Sequence, residues 1–463
     1  MRFVGRTREL AVLNTQWRRR DAQLLVITGK RRVGKTYLLN RWLRGKSGVY
    51  YLADRRPERD QLRELAKRLG AHFQDPFVAA KGFEDWLEVF AYLKGKVTRR
   101  FALVIDEYPY LAANNPATSS LFQKGWDETL HALPIYLVLC GSSIAMMVSE
   151  TLAQQAPLYG RRTGDLLIRP LDFAEVCRFL PRKLAFEECV QVYATLGGMP
   201  GYLTQFDLVG ADLEFNIREQ ILTPGRFLFR EVEYLLSEEL REPRTYLAIL
   251  AAIAQGKRKF GEIVNATKLP PTAPKGYLDT LEQLQLVERE VPVTEPMPHK
   301  SKKSFYGLQD PFVALWFELV YPYRSELELG ILQPSIDRFR KALPQIMGRA
   351  YERIARETIR QAADLPFPAH RVGRWWDHQQ EIDIVGLNAD VNGLLLGEAK
   401  WSNDPVGADV LTALQRKAPR VIWGTANRQE VFALFSKSGF TADLRRRAKA
   451  EGIVLYQGTR RLA

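Results

Sequence analysis

Between residues 29 and 36 the chain reads Gly29-Lys-Arg-Arg-Val-Gly34-Lys35-Thr36, a spacing of glycine, lysine and hydroxyl suited to holding phosphate. Glycines let backbone N–H groups curl around phosphate oxygens where a helix begins. Lys35 is then placed to reach the outer phosphates, and Thr36 to offer its hydroxyl to Mg²⁺. Downstream, the apolar run Phe101–Ile105 closes on two acids. Asp106 suits the metal's shell and Glu107 suits polarisation of an attacking water. "YLVLCGSS" follows, and puts Ser142 or Ser143 where a sensor of the last phosphate is expected. Arg161 or Arg162 is the candidate for steadying charge on a transferred phosphoryl group, in cis or from a neighbouring subunit. ATP and Mg²⁺ are the cofactors that this set of residues implies.

A second set lies near the far end, in "EIDIVG" and "GEAKW". Side chains alternate along a strand, so Glu398 and Lys400 share one face. Asp383 lies within the other apolar run. Burying such charges costs several kcal/mol unless a partner or a metal compensates. Asp383 and Glu398 together suit Mg²⁺, with Mn²⁺ as an alternative; Lys400 is placed to orient or deprotonate a bound water and to touch phosphate. Glu352, from an upstream helix, is a candidate third metal ligand, and Gln415 a candidate neighbour of the site. A plain ion pair between Lys400 and one of the carboxylates is the alternative. Arg371, Arg374, Trp375 and Trp376 ahead of the acids, and Arg445, Arg446, Arg447, Lys449, Arg460 and Arg461 behind them, suit phosphate gripping and base stacking.

The elements that must position these residues follow from pattern. "LLVITGKRRVGKTYLLNRWL" reads strand, loop, helix. "GVYYLA", "ALVID", "YLVLC" and "DLLI" are short buried strands between helical stretches, which implies an α/β parallel sheet with crossovers. From about Pro243 three helices precede a two-stranded ribbon with a basic tip, His299-Lys300-Ser-Lys302-Lys303, the pattern of a winged helix-turn-helix. Its expected phosphate contacts are those tip lysines and Lys257-Arg258-Lys259. The aromatic run with Phe312, Leu315, Trp316 and Val320 reads as packing. At the end come a helix, strands through Asp383 and Glu398, the helix "GADVLTALQRKA", a strand at "RVIWGTA" and a basic tail.

Five motifs in order, Phe3-Val-Gly5-Arg6 with Glu9, the Gly29–Thr36 loop, Asp106-Glu107, Gly141-Ser142-Ser143 and Gly197-Gly-Met-Pro200, resemble the archaeal-type ATPases near the AAA+ and STAND P-loop NTPases. The resemblance implies that Gly5 and Arg6 lie by the adenine and that Pro200 belongs to a helical lid. The segment from about 335 onward is similar to the PD-(D/E)XK nuclease core, and more closely to the C-terminal domain of unknown function that accompanies these ATPases. The aspartate motif lacks the usual preceding proline. The expected organisation is a P-loop ATPase core over 1–170, a helical lid over 171–235, a winged helix over 236–325 and a restriction-endonuclease-like α/β domain over 335–463. The corresponding function is ATP-dependent processing of branched or single-strand-containing DNA, with homo-oligomerisation as a further expectation. A STAND-like regulatory switch with a non-cleaving nuclease fold is the alternative.

Bulk properties agree with a multidomain, polyanion-binding chain. At 463 residues it exceeds one core, and its net charge of +14 favours a nucleic-acid partner. Three cysteines at unrelated spacings argue for a reducing, cytoplasmic setting rather than disulfides or zinc. No apolar run approaches the ~20 residues of a membrane span.

Overall fold

The computed structural model describes residues 3–181, 183–240, 242–270 and 273–462. The chain forms two compact units. The first comprises Met1–Pro170 with Met199–Tyr202 and Tyr234–Arg241, and the second comprises the remainder.

The first unit is built on a five-stranded sheet of β1 (Gln23–Thr28), β2 (Gly48–Leu52), β3 (Phe101–Asp106), β4 (Ile135–Cys140) and β5 (Gly164–Leu167), in the order β2-β3-β4-β1-β5. Every pairing is parallel. β1, β3 and β4 are buried along their whole length, which is why they read as unbroken apolar runs. Helices such as Glu58–Phe73 and Trp86–Lys96 cover the sheet, and Trp86, Phe90 and Phe122 fill the space between. β1 ends at the glycine loop, and the ends of β3 and β4 on the same side of the sheet carry Glu107 and Ser142. Parallel order thus brings three separate sequence motifs to one sheet edge.

In the second unit, helices Pro243–Ala254, Phe260–Thr267 and Ala273–Gln283 precede β6 (Val287–Glu290) and β7 (Phe305–Leu308), an antiparallel pair. Ile249, Ile253, Ile263, Leu278 and Leu281 are fully or nearly fully buried. Phe312, Leu315 and Trp316 are buried too.

A six-stranded sheet closes the second unit: β8 (Arg371–Trp376), β9 (Glu381–Asn388), β10 (Gly393–Lys400), β11 (Gln429–Ser436), β12 (Val454–Gln457) and β13 (Arg460–Leu462), in the order β13-β12-β11-β10-β9-β8. β8–β9–β10 pair antiparallel and β10–β11–β12 parallel. Helix Gln333–Gln361 covers one face through Tyr351, Ala355 and Ile359. Helix Ala408–Lys417 covers the other through Leu411 and Leu414.

The strand expected at "RVIWGTA" does not form; the strand is Gln429–Ser436. Gly424 adopts φ +71, a left-handed turn, and Arg428 donates to the carbonyls of Val421 and Trp423, which fixes that stretch as a loop. Among the described residues, no helix is long and apolar enough to cross a membrane.

Candidate functional site

The glycine loop owes its path to backbone freedom. Gly34 sits at φ +97, and a Cβ on Gly29 would stand 2.6 Å from the Ile168 carbonyl. Lys35 opens helix Lys35–Leu43 and donates to the carbonyls of Gly29 (2.8 Å) and Lys30 (3.1 Å), so its ammonium is held inside the loop. Thr36 donates to Asp106 Oδ2 at 2.6 Å, Tyr50 donates to the same oxygen at 2.7 Å, and the Glu107 N–H reaches Oδ1 at 3.0 Å. A hydroxyl and a carboxylate in direct contact beside a phosphate loop form an oxygen donor set that fits Mg²⁺.

Glu107 has φ 57 and ψ 42, a left-handed conformation that non-glycine residues adopt at a cost of ~1–3 kcal/mol. The bend turns its carboxylate onto Ser142, which donates from Oγ at 2.7 Å and from its backbone N–H at 3.1 Å. Ser143 does not face Glu107; its hydroxyl donates to Glu239 at 3.2 Å. Tyr50 was not singled out by the sequence. Its hydroxyl is pushed towards the neutral form by burial and then by Asp106. Alternation along β2 put either Tyr50 or Tyr51 on that face, and only the pairing of Leu52 with Asp106 decides between them.

Of the other expected residues of this unit, Arg6 and the turn at Pro200 bond to the loop itself. Arg6 is buried, at φ 63, and donates to the carbonyls of Arg169 (2.6 Å) and Val33 (2.8 Å). Gly5, at φ 69, supplies the turn before it. Pro200 opens a short helix whose Gly201 N–H donates to the Arg32 carbonyl at 3.2 Å. Arg161 is committed to Asp127 (2.8 Å) and the Pro157 carbonyl, while Arg162 lies over the Tyr159 ring and 3.6 Å from Asp165.

The C-terminal residues come together through sheet register. Gly397 stands opposite Ile384, so Glu398 and Asp383 occupy the next position along β10 and β9. Both are buried. Glu398 shares its face with Leu394 and Leu396, the face covered by helix Ala408–Lys417. That packing delivers Lys417. Glu398 accepts from Lys400 at 2.9 Å and from Lys417 at 2.7 Å. Asp383 Oδ2 accepts the Ala399 N–H at 3.1 Å. Burial, then the charges of Glu398 and Glu352, push the Asp383 carboxyl up to about 7. Burial works the same way on Glu398, but Lys400 and Lys417 outweigh it and keep that carboxyl below its usual range.

Two expectations for this region change. Among the described residues, no group of three or more His, Cys, Asp or Glu side chains is arranged to hold a metal ion. Glu352, on helix Gln333–Gln361, acts electrostatically on Asp383 and Lys400; Arg356 stands 3.9 Å from it, and burial raises its carboxyl. Gln415 is turned away, bonded to Glu451 and Arg447. Lys417, two residues on, follows Leu411 and Leu414 at three-residue spacing, the signal that would have found it. Several flanking groups are also spoken for. Trp375 is in the core, Trp376 packs on Phe305, Arg374 pairs with Glu290 and Glu381, Arg371 donates to backbone carbonyls of Val293 and Glu295, Arg447 pairs with Glu451 and Arg461 with Asp364. Arg445, Arg446, Lys449 and Arg460 are exposed.

Residues 3–206 match the model of an ATPase domain predominantly from Archaea, and residues 316–418 match that of a family of archaeal and bacterial proteins of unknown function. An uncharacterized protein of Methanocaldococcus jannaschii is 34% identical over 440 residues, covering 94% of this chain and 95% of the relative. The chain belongs to the archaeal-type ATPases. A shorter match, 43% over 44 residues, joins 10% of this archaeal-type ATPase to 75% of an uncharacterized ATP-binding protein of the same organism. Among solved structures, the Walker-type ATPase paby2304 of Pyrococcus abyssi superposes with a TM-score of 0.50 at 22% identity, over 68% of this chain and 96% of that one. That likeness concerns the fold. Membership of that family implies a nucleotide, with which Mg²⁺ typically binds.

Proposed function

We propose that this ATPase acts on DNA, and that its C-terminal sheet is a restriction-endonuclease-like domain that hydrolyses phosphodiesters with Mg²⁺ or Mn²⁺. The observation that carries the reading is the meeting of Asp383 and Glu398 across β9 and β10, with Lys400 on the same strand face. An aspartate that ionises only near pH 7 beside a charged glutamate is a site short of positive charge, and its oxygens suit a hard cation. A divalent cation bound there would supply an acidified water and charge neutralisation at the scissile phosphate. The chain's own part is binding and orientation. Asp383 and Glu398 present oxygens, and Lys400 directs an ammonium at the phosphate or the attacking water.

The order helix, three antiparallel strands, helix, strand supports the same fold reading. Helices Pro243–Ala254, Phe260–Thr267 and Ala273–Gln283 with the β6–β7 ribbon support a winged-helix module. Its exposed Lys257, Lys259, Lys300 and Lys302 suit phosphate, whereas Arg258 is drawn to Glu290 and Lys303 to Glu295. In this reading residues 1–170 are the ATPase core, 171–235 the lid, 236–325 the winged helix and 335–463 the nuclease-like domain. Branched or single-strand-containing DNA is the proposed substrate. In the nucleotide site, Glu107 orients the water and Ser142 steadies Glu107.

One observation favours a second reading. Lys400 and Lys417 both hold Glu398, and two ammonium groups can neutralise the carboxylates without a metal. The domain would then grip phosphate without cutting, under the control of a STAND-like ATPase switch.

The test is cleavage of labelled duplex, single-stranded, flap and four-way DNA in Mg²⁺ or Mn²⁺, with and without ATP. Cutting lost in Asp383→Ala and Lys400→Ala supports the nuclease, and a Lys35→Ala control reports whether ATP gates it. Retained DNA binding with no cutting of any substrate selects the switch.

A further inference from the structure

The helix Glu231–Glu239 ends on two acids that turn into the nucleotide site of the first unit. Glu238 forms an ion pair with Arg31 of the glycine loop. Glu239 accepts from the Ser143 hydroxyl at 3.2 Å, the Ile144 N–H at 3.3 Å and the Ala145 N–H at 3.4 Å. These donors directly follow Ser142, the partner of Glu107, so Glu239 stands at the hydrolytic end of the site and not at the Phe3–Arg6 end. It is within electrostatic reach of Lys35. Burial raises its carboxyl above the usual carboxylate range, and the three donors together with Lys35 offset only part of that rise.

A carboxylate on those donors, close to the lysine that must bind the outer phosphates, sets a negative charge where ATP brings more of the same sign. Like charges a few ångströms apart in a half-buried site repel by enough to shift affinity about tenfold. ADP, which has no terminal phosphate, meets less of this repulsion. We propose that Glu239 is a specificity-determining residue of the ATPase site: its carboxylate competes with the terminal phosphate of ATP for the Ser143–Ala145 donors and for Lys35, and thereby biases the site towards ADP. Glu238 assists by occupying Arg31. Binding of the triphosphate releases the last turn of Glu231–Glu239, and the chain runs from there into the helix that starts at Pro243.

The experiment measures binding of ADP and of a non-hydrolysable imido-triphosphate to the full chain in Mg²⁺, for the wild type, Glu239→Gln, Glu239→Asp and Glu238→Gln. Glu239→Gln should tighten the triphosphate about five- to tenfold and ADP by less than about twofold. Glu239→Asp keeps the charge and should stay near the wild-type ratio. Glu238→Gln frees Arg31 and should tighten both nucleotides about two- to threefold. An unchanged triphosphate-to-ADP ratio in Glu239→Gln, or weaker triphosphate binding, overturns the proposal. Hydrogen exchange on the wild type needs no variant to fold. Amides over 234–240 should exchange faster with the triphosphate than with ADP, and equal exchange in the two complexes also overturns it.

Discussion

Asp106 and Asp383 are both buried strand aspartates, and they have opposite surroundings. Asp106 faces donors: two hydroxyls and a backbone N–H. Asp383 faces one backbone N–H and a second carboxylate, Glu398. The first site is satisfied without a ligand and exchanges a hydroxyl contact for a metal contact at little cost. The second carries repulsion that a proton or a cation must relieve. A buried carboxylate therefore reports the charge of its neighbours more than its own burial, and the two sites should respond in opposite ways to the same change.

The largest effect is expected from Asp106→Ala. Thr36 and Tyr50 lose their acceptor inside the core, so stability should fall by ~2–4 kcal/mol and phosphate release by about a hundredfold or more. Denaturant unfolding and a steady-state ATPase assay measure both. If stability rose instead, the contrast with Asp383 would be lost.

Asp383→Asn should do the reverse. An ordinary aspartate ionises near ~4, whereas this one does so at about 7 in the folded protein. Between those values the unfolded chain binds fewer protons than the folded one, so stability falls as pH rises across the window and stays low above it. The asparagine variant should lack this fall and gain ~2–4 kcal/mol at pH 8 in the presence of chelator. Mg²⁺ should narrow the gap by stabilising the wild type. Parallel pH profiles of melting temperature for the two proteins would remove the basis for the repulsion.

Lys417→Ala is expected to be smaller. It leaves Glu398 with Lys400 alone, and should lower stability by ~1–2 kcal/mol in chelator. A larger stabilisation by Mg²⁺ in the variant than in the wild type would follow if cation and lysine share one position, and thermal shifts with and without Mg²⁺ measure this. The smallest effect is expected from Arg161→Ala. With its guanidinium on Asp127, hydrolysis should stay within about twofold of wild type. A thousandfold loss of turnover would instead make Arg161 a finger acting on a neighbour's nucleotide.

What the sequence disclosed, and what it withheld, divides along the same physical lines. Contiguous motifs were legible: Gly29–Thr36, Asp106-Glu107 and Glu398-x-Lys400 each carry their own spacing, and the buried strands of the first sheet read directly as apolar runs. Contacts set by register and by helix rotation were not. Tyr50, Lys417 and Glu239 join their sites only through strand pairing or through helices distant in sequence. Gln415 had suitable chemistry but is bonded to Glu451 and Arg447. The basic residues Arg371, Arg374 and Arg461 looked available because nothing in a linear chain shows that Val293, Glu290 and Asp364 return to meet them. The misplaced strand at "RVIWGTA" had β-prone residues that a glycine turn and Arg428 hold in a loop.

The strand order β2-β3-β4-β1-β5 has a consequence for synthesis of the chain. β1 leaves the ribosome well before its two neighbours, β4 and β5, which begin at Ile135 and Gly164. At ~5–20 residues per second, roughly 5–25 s of translation separate the glycine loop from the strands that flank it. During that interval "QLLVIT" is an unpaired apolar segment, and the loop lacks the Ile168 backbone that fixes Gly29. The nucleotide site is therefore completed only when β4 and β5 have closed the sheet on both sides of β1.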